Sequence, residues 1–174
     1  DHPYLEGITL ERLKREGFVK LNLPRPFLPF AEGPVRFSPP PEVIPTEPLP
    51  ESPLILLTPP AHRFLNTTYG DVKALVEAEG GEPRLLIHPE DAEARGIRDG
   101  MLVHIRSPWG RITRKAHVTE APIPGTVVLE GTWWEKWAPD GKGVNHLTSE
   151  RLTDLGGGST FHSTPVEVEP LRLA

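Results

Sequence analysis

Proline is the feature that most constrains what this 174-residue chain can fold into. Thirteen of its 22 prolines lie between residues 24 and 60, and three of them form the run Pro39-Pro40-Pro41. Because proline fixes φ and lacks a backbone donor, neither a helix nor a central strand fits this stretch. We therefore predict that residues 1–52 form an extended, proline-rich lead-in that connects from a preceding domain, and that the folded core occupies residues 53–174.

From residue 53 onward, the sequence predicts short strands separated by tight turns. Leu54 to Leu57 is a continuous apolar run, typical of a fully buried strand. Five more strands are predicted over residues 84–87, 101–107, 111–118, 126–130 and 166–169. One short helix between strands is predicted to be capped by Asp71 and to stop at Gly80-Gly81, and another begins at Pro89. This pattern indicates a mainly β fold, a β-barrel with short helical inserts.

The lead-in also has local structure before its prolines begin. Thr9 to Gly17 has the pattern of a short helix, with Thr9 as the N-cap and Gly17 at the left-handed stop. Phe18 to Leu23 alternates between apolar and polar residues, which predicts a strand.

Composition excludes several classes of function. The net charge of −5 argues against a general nucleic-acid binder, and no apolar run is long enough to cross a membrane. The absence of cysteine excludes zinc–thiolate sites, iron–sulfur ligation and a cysteine nucleophile. The seven histidines show no metal-ligand spacing, so we predict no metal ligand in this chain. Many prolines, no glutamine and only three asparagines are typical of thermophilic proteins.

The loop that follows the first predicted core strand concentrates polar side chains. Ligands gather at such strand ends because donors and acceptors there lie outside the sheet ladder. Arg63 offers a planar fork suited to phosphate, while Asn66, Thr67 and Thr68 can recognise the edge of a heterocycle. The loop therefore predicts a site for an anionic, ring-bearing ligand, and a well-capped loop without a ligand is the structural alternative.

Two further segments have both a structural and a functional interpretation. Trp133, Trp134 and Trp137 form either a lid on the barrel or a contact with a ring system or another domain, and the contact is slightly favoured. Gly156-Gly157-Gly158 either presents backbone N–H groups to an anion or is a flexible loop.

Three stretches of the core, in order, resemble the C-terminal cofactor domain of molybdopterin oxidoreductases of the dimethyl-sulfoxide-reductase type. The first runs from Pro53 to Thr68, and the second from His88 to Gly100. The third contains Val144-Asn145-His146-Leu147-Thr148, then Asp154 and the segment Gly156 to His162. The lead-in departs from the family at Glu32 to Phe37, where a lysine of the family pattern is missing.

The resemblance implies a six-stranded double-psi β-barrel of the aspartate-decarboxylase-like type that holds molybdopterin guanine dinucleotide. The molybdenum, or tungsten, and any iron–sulfur cluster would lie outside this chain, which is not expected to be active alone. Its partners would be the remaining domains of a parent enzyme and electron-transfer subunits, with neither nucleic acid nor direct membrane insertion. The resemblance assigns cofactor contacts, and no catalytic residue, to Thr58, His62, Arg63, Asn66, Thr67, Asn145, Phe161 and His162.

Two other functions remain open at this stage. Double-psi barrels also resemble the recruiting domains of ring ATPases, so a non-enzymatic module that binds protein or nucleotide is the main alternative. A self-processing decarboxylase would cleave between Gly158 and Ser159, although a Gly-Ser dipeptide is common.

Overall fold

The computed structural model of the chain describes residues 2–23, 48–153, 156–162 and 164–171. The chain divides into two compact units, Asp1–Pro39 and Pro40–Ala174. The connector expected from residue 24 onward lies outside the described residues as far as residue 47, and the boundary between residues 52 and 53 stays a prediction. In the described ranges, no helix is long and apolar enough to span a membrane.

The first unit contains the predicted helix. A 3-10 helix, Pro3–Leu5, precedes the α-helix α1, Leu10–Glu16. The Thr9 hydroxyl accepts a hydrogen bond from the backbone N–H of Arg12 at 3.1 Å and so caps one of the free donors of the first turn. Gly17 ends the helix with φ of 77°, a conformation that glycine adopts without steric cost.

The strand predicted over Phe18–Leu23 is wrong. These residues are irregular, and the described residues of this unit include no strand that could pair with them. Asn22 instead bonds back to the first 3-10 turn: its backbone N–H donates to the Tyr4 carbonyl at 3.0 Å and its side chain to the Glu6 carbonyl at 2.7 Å. Alternation alone therefore did not suffice to make a strand here.

The second unit is a closed six-stranded barrel with the strand order β1-β5-β2-β4-β3-β6. All six predicted core strands are present, each within two residues of its predicted ends. The strands are β1 Leu54–Leu57, β2 Arg84–Ile87, β3 Leu102–Arg106, β4 Arg111–Val118, β5 Thr126–Leu129 and β6 Thr164–Pro170. The helices of this unit are α2 Lys73–Ala78, α3 Pro89–Glu93 and two 3-10 helices, Glu135–Trp137 and Val144–Leu147.

Strand direction divides the connections of the barrel between its two ends. The pairs β1–β5 and β2–β4 are parallel and every other pair is antiparallel, so β1, β3 and β5 run one way and β2, β4 and β6 the other. The connections over residues 58–83, 107–110 and 130–163 therefore lie at one end, called here the upper end. The connections over residues 88–101 and 119–125 lie at the opposite, lower end.

The barrel interior is filled by alternate residues of every strand. In β1 only Leu54 and Leu56 point inward, while Ile55 is half-buried and Leu57 is 39% exposed, so the prediction of a fully buried strand is wrong. A barrel strand has one interior and one exterior face, which produces alternation. The inward apolar side chains are Leu54, Leu56, Leu85, Ile87, Val103, Ile105, Ile112, Ala116, Val127, Leu129, Val166 and Val168.

The predicted cap of α2 is also wrong, although its C-terminal end is as expected. The helix begins after Val72 without a side-chain cap, and the Asp71 carboxylate instead pairs with Lys136. At the other end Gly80 and Gly81 have φ of 93° and 81°. The Gly81 N–H donates back to the Val76 carbonyl at 2.8 Å, the usual closure of a helix at glycine.

Candidate functional site at the upper end of the barrel

The topology brings all the residues predicted to bind a cofactor to the upper end. The connection from β1 to β2 carries five of them and the connection from β5 to β6 carries three. These connections are neighbours because β1 pairs in parallel with β5 and antiparallel with β6. The residues are Thr58, His62, Arg63, Asn66 and Thr67 on the first connection, and Asn145, Phe161 and His162 on the second.

Thr58 joins the two connections. Its side chain is nearly buried, and its hydroxyl donates to the Phe161 carbonyl at 3.5 Å. The ring of Phe161 is 41% exposed and lies 4.4 Å from the ring of His162 between centroids. Two flat rings therefore stand next to the end of β1, where they can cover the face of a planar ligand.

The loop after β1 presents polar groups to solvent. The Arg63 backbone N–H donates to the Glu79 carboxylate at 2.7 Å, while the Arg63 guanidinium is 42% exposed and lies 3.9 Å from that carboxylate. Asn66 has φ of 53° in a tight turn closed by mutual backbone bonds between Leu65 and Thr68. In the described part of the chain, the side chains of Asn66 and His62 make no hydrogen bond to the protein.

The position of Asn145 is fixed by the close packing of the helix that carries it. It lies exposed on the 3-10 helix Val144–Leu147, which Leu147 anchors in the core with no exposed surface. The backbone of this helix passes so close to the β3–β4 turn that a Cβ on Gly110 would lie 2.2 Å from the His146 carbonyl oxygen. The position of Asn145 therefore depends on glycine at residue 110.

The tryptophan segment packs on the loop after β1. The indole N–H of Trp134 donates to the Thr67 carbonyl at 3.0 Å, and that of Trp137 donates to the Gly70 carbonyl at 2.9 Å. A Cβ on Gly70 would lie 2.6 Å from Cδ1 of Trp134. The structure thus favours the lid interpretation over a contact left open for another body, although Trp134 remains 46% exposed.

Trp134→Phe is expected to loosen the loop without unfolding the barrel. The substitution keeps a ring beside Gly70 but removes the N–H that holds the Thr67 carbonyl, a bond worth about 1 kcal/mol. Amide hydrogen exchange of residues 65–70 should become faster by about fivefold. The control is Trp109→Phe, since Trp109 lies exposed in the β3–β4 turn. Equal exchange in the two variants would contradict a role for the Trp134 bond.

The glycine-rich segment is closed on itself. The N–H groups of Gly157 and Gly158 donate to the carbonyl and hydroxyl of Thr153, at 3.1 and 2.8 Å. Two of the three glycine donors are therefore already used inside the loop. This favours the loop interpretation over an anion-binding cradle.

The sequence predictions did not include the buried charge beneath this end of the barrel. Arg114, on β4, is only 2% exposed, and its guanidinium pairs with Asp140 at 3.0 Å. Burial lowers the pKa of Arg114, while Asp140 acts in the opposite direction. The inward register of β4 was the available signal, because an arginine between Ile112 and Ala116 on an alternating strand must point into the barrel.

Glu130 follows β5 and lies partly buried at the upper end. Burial raises the pKa of its carboxyl group, and the Glu79 carboxylate adds to this effect. The indole N–H of Trp133 and the imidazole of His62 act in the opposite direction. The Trp133 N–H is itself buried without a partner in hydrogen-bond geometry among the described residues.

Glu130→Gln is expected to change how stability depends on pH. Because the folded-state pKa of Glu130 lies above the ordinary value of 4.5, the wild type loses stability as pH rises from 4.5 through the folded pKa. The variant lacks this loss, so its melting temperature relative to wild type should rise across that window. Thermal unfolding between about pH 4 and 8 measures this difference. Glu120→Gln, at the lower end, is the control. If the melting temperature of Glu130→Gln differed from that of wild type by a constant amount across this pH range, the raised pKa of Glu130 would be contradicted.

The upper end therefore combines unpaired polar groups with exposed apolar surface. Of the ten exposed large hydrophobic side chains described in the barrel unit, eight lie at this end. A dinucleotide that carries a pterin needs a guanidinium that donates paired hydrogen bonds to its phosphates. It also needs amide groups that hydrogen-bond the edges of its rings and apolar surfaces that pack against the ring faces. The side chains on this surface supply each of these. The eight hydrophobic residues are Leu57, Leu65, Tyr69, Val72, Trp109, Trp134, Leu152 and Phe161.

Comparisons with known proteins identify the class of domain. Residues 54–165 match a family model described as "Molydopterin dinucleotide binding domain". "Probable oxidoreductase YoaE" of Bacillus subtilis is 34% identical over 97% of this chain, and "Dimethyl sulfoxide reductase DmsA" of Escherichia coli is 37% identical over 60% of it. The chain spans only 27% and 13% of the length of these two relatives.

A solved structure supports the fold independently. Acetylene hydratase from Pelobacter acetylenicus superimposes on 70% of this chain with a TM-score of 0.61 at 19% sequence identity. The closed barrel is thus the double-psi barrel that the resemblance implied. The chain belongs to the family of molybdopterin dinucleotide-binding domains found in oxidoreductases of the dimethyl-sulfoxide-reductase type. This membership favours the cofactor domain over the non-enzymatic module.

Proposed function

We propose that the upper end of the barrel holds the guanine form of the molybdopterin dinucleotide. Arg63 and His62 would bind the phosphates, and the amides of Asn66 and Asn145 would bind ring edges. Thr58, Thr67, Phe161 and His162 would complete the contacts. The observation that supports this most is that the upper end, which carries the side chains of Asn66 and His62 without hydrogen bonds to the described residues, also carries eight of the ten exposed large hydrophobic side chains described in the barrel unit.

When bound, the cofactor would supply two-electron redox chemistry at molybdenum or tungsten. The share of this chain is to bind and orient the group and to exclude water with its exposed apolar side chains. The chain has no cysteine, so the ligands of any iron–sulfur cluster would come from elsewhere.

We also propose that the barrel works as one domain of a larger oxidoreductase. The relatives that it matches are several times longer, and its exposed apolar upper end has the character of a surface covered by other domains. Electron-transfer subunits would be further partners. The intact mass of the native polypeptide tests this: a mass several times 19.3 kDa supports the proposal, and a mass near 19.3 kDa overturns it.

The nucleotide is tested by releasing the cofactor from the native protein. Acid hydrolysis followed by mass spectrometry should yield guanosine monophosphate together with the oxidised pterin. Release of cytidine monophosphate instead would mean that the cofactor is the cytosine form and not the guanine form. A native protein that releases neither nucleotide nor pterin would overturn the proposal.

A further inference from the structure

Glu79, the residue that follows α2, links this helix to the loop that carries His62 and Arg63. Its carboxylate is only 13% exposed, and one of its oxygens accepts a hydrogen bond from the backbone N–H of Arg63 at 2.7 Å. The same oxygen lies 3.9 Å from Nε of Arg63. Neither the sequence patterns nor the family resemblance assigned a role to Glu79.

Apolar packing brings α2 against this loop. Ala61 and Phe64 of the loop form a small buried cluster with Val76 of the helix. His62 and Arg63 lie between these two buried loop residues, and both are exposed. The cluster therefore fixes the two ends of this short stretch, and Glu79 fixes its middle by holding the Arg63 N–H.

The Arg63 guanidinium is left available for a ligand. Among the described residues it donates no hydrogen bond, and its distance of 3.9 Å from the Glu79 carboxylate is beyond hydrogen-bond reach. The side chain is also 42% exposed. A guanidinium that keeps its donors can bind a phosphate through two parallel hydrogen bonds. Glu79 thus holds the backbone of Arg63 without using the donors of its side chain.

The Glu79 carboxylate also brings negative charge to this loop. After burial, its charge is the next cause that raises the pKa of Glu130, so its field reaches the start of the connection after β5. A negative charge close to an anion-binding group repels the anion. An amide would accept the same hydrogen bond without this repulsion, but an ionised acceptor makes the stronger bond to an N–H group.

We propose that Glu79 is a positioning residue for the phosphate contact of Arg63: it fixes the loop backbone, and its charge limits how tightly the guanidinium holds the phosphate. This inference rests on the proposed function, in which Arg63 binds the phosphates of the dinucleotide. It adds a residue that sets the affinity without touching the ligand. Removal of the whole carboxylate and removal of its charge alone should therefore change the affinity in opposite directions.

The first test measures the loop without a ligand. Amide hydrogen exchange of Arg63 should become about tenfold faster in Glu79→Ala, because its N–H loses a charged acceptor. In Glu79→Gln the rate should lie between those of wild type and Glu79→Ala. Glu77→Ala and Glu77→Gln are the controls and should leave the rate unchanged, since the Glu77 carboxylate is 65% exposed and pairs with Lys73 at 3.8 Å. An unchanged rate in Glu79→Ala would overturn the proposal.

The second test titrates the chain with guanosine monophosphate and, separately, with uncharged guanosine, and follows the NMR signals of residues 58–68 at fixed pH and ionic strength. Glu79→Ala should bind the monophosphate about fivefold more weakly than wild type, and Glu79→Gln about twofold more tightly. Guanosine has no phosphate, so wild type and Glu79→Gln should bind it equally. The two Glu77 variants should bind the monophosphate as wild type does.

The outcomes separate this inference from the proposed function. If the wild type gives no saturable shifts with the monophosphate, the proposed function fails, and the inference fails with it. If the wild type binds the monophosphate and Glu79→Ala binds it as tightly, the inference alone is overturned. Glu79→Gln gives the decision even if Glu79→Ala does not fold: tighter binding of the monophosphate supports the inference, and equal or weaker binding overturns it.

Discussion

Gly110→Ala is expected to lower the free energy of unfolding by about 3 kcal/mol, the upper part of the range for overpacked sites. The added Cβ would lie 2.2 Å from the His146 carbonyl oxygen, and a backbone atom cannot move aside as the end of a flexible side chain can. The 3-10 helix Val144–Leu147 must therefore shift, and Leu147 must shift within the core. Chemical denaturation of the chain measures the loss.

The matched control is Gly156→Ala, because a Cβ on Gly156 meets nothing within 4 Å. This variant should unfold within about 0.5 kcal/mol of wild type, as surface substitutions do. If Gly110→Ala were equally mild, the close approach of the β3–β4 turn to the helix that carries Asn145 would be contradicted.

Asp140→Ala is expected to cost about 3–5 kcal/mol, the usual effect of removing one partner of a buried ion pair. The Arg114 guanidinium would keep its charge in the barrel without its counterion, and the Thr113 N–H would lose its acceptor at 2.7 Å. Asp71→Ala is the control, because its ion pair with Lys136 is exposed on both sides and should contribute less than about 1 kcal/mol. Thermal unfolding of both variants gives the comparison.

A double variant separates charge from packing. Arg114→Met combined with Asp140→Asn removes the buried charge, fills the interior with an apolar chain and keeps an acceptor for the Thr113 N–H. Replacing a buried ion pair by apolar groups is often neutral, so most of the stability should return. If the double variant were as unstable as Asp140→Ala, the uncompensated arginine would not be the cause.

The strands of the barrel were predictable because each is indicated by residues within it or next to it in the sequence. Alternation, the turn residues and glycine at helix ends are local in sequence, and all six core strands were found from them. Two of the failures share a physical cause, which is that a partner elsewhere in the chain decides the outcome. Asp71 pairs with Lys136 instead of capping α2, and the alternating residues Phe18–Leu23 find no strand to pair with among the described residues of their unit.

The position of the candidate site was predictable from the sequence, but the contacts that hold its loop in place were not. Polar residues such as Arg63 and Asn66 follow a strand end, and this placed the site on the loop after β1. That Trp134 and Trp137 hold this loop depends on the parallel pairing of β1 with β5, which no local pattern indicates.

The most direct test of the account is to map where a guanine nucleotide binds on the chain. Guanosine monophosphate at millimolar concentrations should shift amide NMR signals in residues 58–68, 144–148 and 156–162 at the upper end. Signals in residues 88–101 and 119–125, at the lower end, serve as the internal control. Arg63→Ala should weaken binding about tenfold, which is about 1.4 kcal/mol, whereas Arg98→Ala at the lower end should not. Shifts at the lower end, or none at either end, would contradict the dinucleotide site.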